Sequence, residues 1–304
     1  MLPFRTVLFP VDYSPPCLAI IPYVKDILHR FSARLALVHA YGPEALAFSR
    51  LPITDPALPE AAHEHEQQRL RDFALEHFPG EHADSFAELS EPGTAIHKIV
   101  QHQGADLVMM ATHGRGPVRR LLLGSVTAKV LHDVDAAVWT AARASLTHDG
   151  PAHNPAQTPY RSILCALDDT NEAEVLLKAS AALASAYQAR LSLVHVVETP
   201  PAVPEVDFTP YNQEAIAAAD VWLRELIGQL GLDATPGASY DAPYHGAPYV
   251  VLDGLVPDRV REEAVRRQAD LIVTGRGRAQ TRFSRMWSHL YQIVRESPCP
   301  VLSV

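Results

Sequence analysis

Short aliphatic runs alternate along this chain with stretches whose apolar residues recur at helical spacing. Thr6 to Val11 is a continuous apolar run of strand length, and Cys17 to Phe31 follows with a helical pattern. Leu35 to His39 reads as the next strand. Ala62 to His77 reads as a polar helix that stops before Pro79-Gly80. Phe86 to Leu89, Thr94 to Gln103 and Leu107 to Ala111 continue the strand, helix, strand alternation; Gly124 to His132 starts the last helix and Ala137 to Thr140 the last strand. Unbroken apolar strands separated by helices predict an α/β fold with a parallel sheet covered on both faces. Right-handed crossovers place helices on each side, and ligands of such sheets bind beyond the carboxyl ends of the strands, where strand order switches.

The pattern occurs twice. Arg5-Thr-Val-Leu-Phe-Pro-Val-Asp12 matches Arg161-Ser-Ile-Leu-Cys-Ala-Leu-Asp168, and Arg34-Leu-Ala-Leu-Val-His39 matches Arg190-Leu-Ser-Leu-Val-His195. With Ser125 laid on Ser288, Ala105 to Val138 runs in register with Ala269 to Leu302, one residue being missing near the glycines. A repeat of this length is a domain duplication. It predicts a first domain over 1–144, a Pro- and Gly-containing linker over 145–159 and a second domain over 160–304. The irregular stretches Tyr41 to Pro59, Pro200 to Tyr211 and Tyr240 to Tyr249 read as loops over the sheet ends, either lids or connectors.

Composition narrows the classes. The 304 residues suffice for two domains with cores of their own, and the net charge of −9 argues against general affinity for nucleic-acid backbones. Neither a signal peptide nor an apolar run long enough to span a bilayer is read, so no membrane partner is expected. Three scattered cysteines without a CxxC pair fit a reducing cytoplasm rather than redox chemistry.

Gly114-Arg115-Gly116, followed by Gly124-Ser125 at a helix start, is the strongest chemical signal. A helix N-terminus offers unpaired N–H groups and a positive dipole end, and glycine lets phosphate oxygens reach them. Ser125 adds a hydroxyl donor or caps the helix; a turn plus an N-cap is the bland reading. Neither GxxxxGK[ST] nor GxGxxG is present. Asp12 and Asp168 each end a buried first strand, positioned either to accept from a ribose hydroxyl or adenine amine or to cap a helix, Asp12 together with Ser14. His39 and His195 read as structural hydrogen-bonding residues. His63 and His65 are two apart on a helix and do not share a face, and no GxSxG elbow presents a nucleophile.

Together, Pro-Val-Asp12, Val38-His39-Ala40 and ATHG followed by RGPVRRLLLGSVTAKVL resemble the universal stress protein family. Its ATP-binding branch carries Gly, two residues, Gly, nine residues, Gly-Ser/Thr; Gly114, Gly124 and Ser125 fit, and Ala111 replaces the first glycine. The resemblance covers nearly the whole chain and implies two tandem Rossmann-type domains, each with a five-stranded parallel sheet. It implies adenine and ribose near Pro10, Val11, Asp12, Ala40, Met110 and Ala111, and phosphates near Gly114, Gly124, Ser125 and Val126. Arg115, Arg119 and Arg120 are then either counter-charges to the triphosphate or ordinary surface arginines. Mg2+ is expected, if at all, with the phosphates as its main ligands. The resemblance further implies an intramolecular pseudo-dimer through the last strands, association of two chains into a homodimer, and a nucleotide-dependent role in a stress response involving an unidentified protein partner. No residue stands out as a base for water, so at most slow ATP hydrolysis is expected.

The second copy departs further. Trp287-Ser288 replaces Gly-Ser, and an indole at the helix start is expected to fill the phosphate space. Arg276, Arg278, Arg282 and Arg285 keep that loop basic, leaving room for another anion. A rival reading is a nucleotide-independent scaffold acting through protein contacts; a nucleotidyl-transferring enzyme lacks HIGH-like and KMSKS-like signatures.

Overall fold

A computed structural model of the chain describes residues 4–43, 58–112, 123–141, 160–199, 209–232, 249–276 and 283–304, with backbone alone at 283–288. The chain divides into two units, Pro3–Leu146 and Thr147–Val304. The expected linker, 145–159, lies outside the described residues.

The first unit runs β1 (Thr6–Pro10), α1 (Pro15–Ala19), α2 (Ile21–Phe31), β2 (Arg34–Tyr41), α3 (Leu58–His77), β3 (Ala83–Leu89), α4 (Pro92–Gln103), β4 (Leu107–Ala111), α5 (Ser125–Asp133) and β5 (Ala137–Ala141). Its strands lie in the order β3-β2-β1-β4-β5, every pair parallel. The central strands β1 and β4 are buried almost throughout, which is why they read as continuous apolar runs. The single helix expected over Cys17 to Phe31 is two helices. Pro22 in the first turn of α2 removes an N–H that a continuous helix would need, and the chain restarts at Ile20.

The second unit runs β6 (Ser162–Leu167), α6 (Ala173–Tyr187), β7 (Arg190–Glu198), α7 (Thr209–Gln229), β8 (Tyr249–Gly254), α8 (Val256–Arg266), β9 (Leu271–Thr274), α9 (Phe283–Glu296) and β10 (Val301–Ser303). It repeats the order as β8-β7-β6-β9-β10, again all parallel.

The repeated Ala-Asp-Leu has a structural task. Asp106 accepts from the N–H groups of Arg5 (2.9 Å) and Thr6 (3.1 Å), and Asp270 accepts from those of Arg161 (2.7 Å) and Ser162 (3.0 Å). One carboxylate thus ties the amino end of each unit's first strand to the start of its fourth. A left-handed residue precedes each clamp: Gly104 at φ +60° in the first unit, Gln268 at φ +50° in the second.

In the second unit a charged network stands behind that clamp. Glu263 and Arg267 are both buried, and Glu263 takes hydrogen bonds from Arg266 (two at 2.7 Å) and from Arg267. Burial alone would raise the Glu263 carboxyl, but the bonds and charges of Arg266 and Arg267 outweigh it and hold the group below the ordinary glutamate range. A carboxyl lowered on folding stabilises above its unfolded pKa and loses that contribution as pH falls through the folded value. Glu263→Ala removes a buried carboxylate partner of the Arg267 guanidinium and is expected to destabilise the second unit by about 3 kcal/mol. Urea unfolding at neutral and acidic pH checks this: the gap between wild type and variant should close as Glu263 protonates.

Candidate functional site at the switch in strand order

In the first unit β1 lies between β2 and β4, so its carboxyl end faces the point where the strand order reverses. The residues just beyond β1 are fixed one by one. The Val11 N–H donates to Val38 O (2.8 Å), and the Val11 carbonyl accepts from His39 Nδ1 (2.6 Å). Asp12 Oδ1 accepts from the Ser14 N–H (2.9 Å), and Ser14 Oγ accepts from Cys17 N–H (3.3 Å), capping α1. Between them Tyr13 holds φ +60°, a left-handed conformation that costs a residue with a Cβ about 1–2 kcal/mol. The Tyr13 ring packs against His39, Phe73 and the Arg69 guanidinium, whose centre lies 3.9 Å from the ring centroid. Asp12 is half-buried in this turn.

The other wall is the end of β4. Register pairs Val7 with Leu107 and Leu8 with Val108, and carried forward it sets Pro10 and Val11 beside Met110 and Ala111. The buried Thr112 follows. Its carbonyl accepts from the Gly124 N–H (3.2 Å) and from Thr127 Oγ1 (3.1 Å), which pins the start of α5 against the strand end. Gly124, not Ser125, is the N-cap; with no side chain it gives no capping bond, and Ser125 is the exposed first helical residue. The glycine also answers a constraint within the protein, because a Cβ there would lie 2.7 Å from the Thr112 carbonyl oxygen. Ser125 and Val126 therefore head a helix whose first turn receives no side-chain cap from its own N-cap residue.

The structure thus brings Pro10, Val11 and Asp12 together with Met110, Ala111 and the Gly124–Val126 turn at one switch point. Ala40, half-buried near the end of β2 and paired with Glu88, lies one strand away. Gly114, Arg115, Arg119 and Arg120 lie outside the described residues. His39 serves structure, as its residue type and position suggested, and His195 repeats its bond by donating from Nδ1 to Leu167 O (3.0 Å). On α3, His63 Nδ1 meets the Tyr41 hydroxyl (3.1 Å) while His65 faces Glu66 (3.4 Å). The Tyr41 phenol is held above its ordinary value by burial first, then by the charges of Glu66 and Glu88. Tyr13 and Glu66 carry no motif and escape a reading by sequence, while Thr112 and Thr127 lie inside the ATHG and RGPVRRLLLGSVTAKVL segments without a role legible from them. Only the spacing points to Glu66: the same number of residues separates His39 from Glu66 and His195 from Trp222.

The second unit differs in a way the sequence did not indicate. Helix α9 begins at Phe283, so Trp287 and Ser288 lie a full turn inside it rather than at its start. Inside a helix their N–H groups point to carbonyls four residues earlier, so the donors exposed at Ser125 are spent at Ser288. The extended helix, rather than an indole at its first position, distinguishes the second unit. Arg276 is buried with its N–H on Val304 O (3.1 Å), so it does not add to a basic surface loop; Arg278, Arg282 and the Arg285 side chain lie outside the description. Asp168 accepts from Thr170 Oγ1 (2.6 Å) and caps no helix.

Two parallel α/β units, each with a switch point at its first strand, define a tandem Rossmann-like protein. The family model for the universal stress protein family matches residues 3–141 and again 159–304. The chain belongs to the universal stress protein family. A relative from Thermus aquaticus, the universal stress protein in QAH/OAS sulfhydrylase 3'region, is 32% identical over 128 residues, covering 42% of this chain and 91% of that one. A universal stress protein structure from Archaeoglobus fulgidus DSM 4304 superposes with a TM-score of 0.62 at 18% identity, over 98% of this chain and 95% of that one. A Pseudomonas aeruginosa UCBPP-PA14 structure does so with 0.63 at 14%, over 99% and 93%. None of the described helices is long and apolar enough to cross a membrane.

Cys17, Cys165 and Cys299 are all buried, and burial pushes each thiol up to about 12. Because the thiolate is the reacting species, native protein at mildly alkaline pH should leave all three unmodified by a disulfide reagent, and denatured protein should titrate all three. Rapid labelling of any of them in the native state would contradict this placement.

Proposed function

We propose that the first domain binds an adenine nucleotide, ATP foremost, and that the second does not, so that the chain acts in a stress response as a nucleotide-dependent regulator. The observation that carries this reading is the start of α5. Its N-cap, Gly124, supplies no side-chain capping bond, and the turn is pinned beside the end of β4 and belongs to the same switch point as the half-buried Asp12. Such a turn suits a phosphate group, since its N–H groups and dipole favour negative charge. Adenine and ribose would lie toward Val11, Asp12, Ala40, Met110 and Ala111, with the Asp12 carboxylate as acceptor for a hydroxyl or amine. Any Mg2+ would arrive with the triphosphate and take most of its ligands from it. Association of chains and a cytoplasmic setting belong to the same reading, resting on the family resemblance and the cysteine pattern.

One observation favours the alternative, a scaffold that acts through protein contacts without nucleotide. The absence of a side chain at Gly124 is already required by the Thr112 carbonyl, so that glycine alone does not call for a phosphate.

Substituting Gly124 would disturb the backbone, so Ser125→Asp is the cleaner test. A carboxylate at the first helical position suits the dipole and should leave stability unchanged or raised by about 0.3–1 kcal/mol. The same charge faces the phosphates, and ATP affinity should fall by at least ~10-fold, about 1.4 kcal/mol. Calorimetric titration of the full chain measures this. Equal affinity in wild type and variant would place the nucleotide elsewhere.

A further inference from the structure

The two domains share one hydrogen bond and differ in what stands behind it. His39 and His195 each donate from Nδ1 to the carbonyl that ends the first strand, Val11 and Leu167 respectively. A carbonyl only accepts, so Nδ1 carries a proton in both. Nε2 has different company. In the first domain it faces Glu66 Oε2 at 3.6 Å, with both side chains buried. In the second, the residue at the matching position is Trp222, whose ring meets His195 edge-on at 5.2 Å, and among the described residues no carboxylate pairs with His195.

Glu66 has two further neighbours on α3. Arg69 Nη1 lies 3.5 Å from Oε2 and His65 Nδ1 3.4 Å from Oε1. A buried carboxylate facing an imidazole lone pair would be repelled, whereas facing a second N–H it is attracted. The bond to Val11 is the shorter of the two, 2.6 Å against 3.0 Å, the direction a charge-assisted donor produces. Among the described residues, the ionisable Tyr13 stacks on His39, and Tyr41, two residues along β2, carries His63 on its hydroxyl and feels the charge of Glu88 on β3.

We propose that Glu66 is a positioning residue for the nucleotide site: it keeps His39 doubly protonated, and the imidazolium clamps the Val11 carbonyl and the Asp12 turn in place. The proposal rests on the nucleotide reading above. A second link runs through Tyr13, whose left-handed backbone is kept by packing on His39, Arg69 and Phe73. Neutralising Glu66 loosens two of those three contacts, and Tyr13 then relaxes, carrying Asp12 with it. The second domain, with Trp222 in place of the carboxylate, serves as the internal reference.

The test has two readouts on the full chain. Long-range proton–nitrogen correlation spectra at about pH 8, above the ordinary histidine pKa of about 6.5, should show two protons on His39 and one on His195 in wild type. Glu66→Gln, which keeps size and helix, should leave His39 with one proton there, and Glu66→Asp should restore the second. Relative to wild type, ATP affinity of Glu66→Gln should fall about tenfold at about pH 8, and the gap should narrow toward about pH 5.5 as acid returns the second proton to His39. A merely structural role would weaken binding equally at both. A singly protonated His39 in wild type at the higher pH overturns the proposal, as does an affinity profile of Glu66→Gln that follows wild type. If wild type takes up no adenine nucleotide while His39 keeps both protons, the nucleotide reading and the positioning role fall together, and the pair stands as a clamp of α3 alone.

Discussion

A parallel strand with neighbours on both sides, one reached by the next connection and the other by a later one, leaves its carboxyl end where the chain departs in two directions. The rest of the candidate site follows from that constraint at β1. It forces Val11, Asp12 and Tyr13 out of the sheet together, and it leaves the end of β4 beside them with room for the start of a helix. The departing backbone has lost its ladder partners and must find others. His39 supplies one for the Val11 carbonyl, Asp12 supplies one for Ser14, and Thr112 receives both Gly124 and Thr127. At the opposite pole, Asp106 and Asp270 do the same for the entering strands, so each unit's first strand is held at its beginning by an aspartate and at its end by a histidine.

The halves agree in these ties and separate where chemistry would be done. In the first, α5 starts at Ser125, immediately after a glycine tied to the strand end. In the second, α9 starts earlier and runs past the corresponding serine, so donors that could receive an anion are consumed by the helix itself. Behind the histidine the first domain places a buried carboxylate and the second an indole. As proposed, His39 and Glu66 form a buried pair of charges, which is costly to assemble and gives little stability over an apolar contact; its place behind the histidine in the first domain, against an indole in the second, accords with a role other than holding the fold.

The doubling and the parallel α/β architecture were legible because buried strands are continuous apolar runs and because two copies reinforce each other's pattern. Pro10 to Asp12 and Gly124-Ser125 were legible as well, since glycine and a strand-terminal aspartate are rare enough to stand out. Helix boundaries were not. Pro22 splits a helix that periodicity alone runs together, and Phe283 to Met286 extend one that the alignment with Gly124 started too late. Periodicity reports the face a residue occupies and is blind to where the first hydrogen bond forms. Arg276 is a similar case: an arginine beside glycines reads as a basic loop, yet its side chain is buried at the end of β9. Glu66 was illegible for another reason, because a glutamate on a polar helix has no sequence mark of burial until the strand it faces is known.

The proposed function rests on one asymmetry: the last helix starts at Ser125 in the first domain and runs past the corresponding Ser288 in the second. Calorimetric titration of the full chain with ATP tests it most directly. One nucleotide per chain is the predicted result; two equivalent sites, or none, would contradict it.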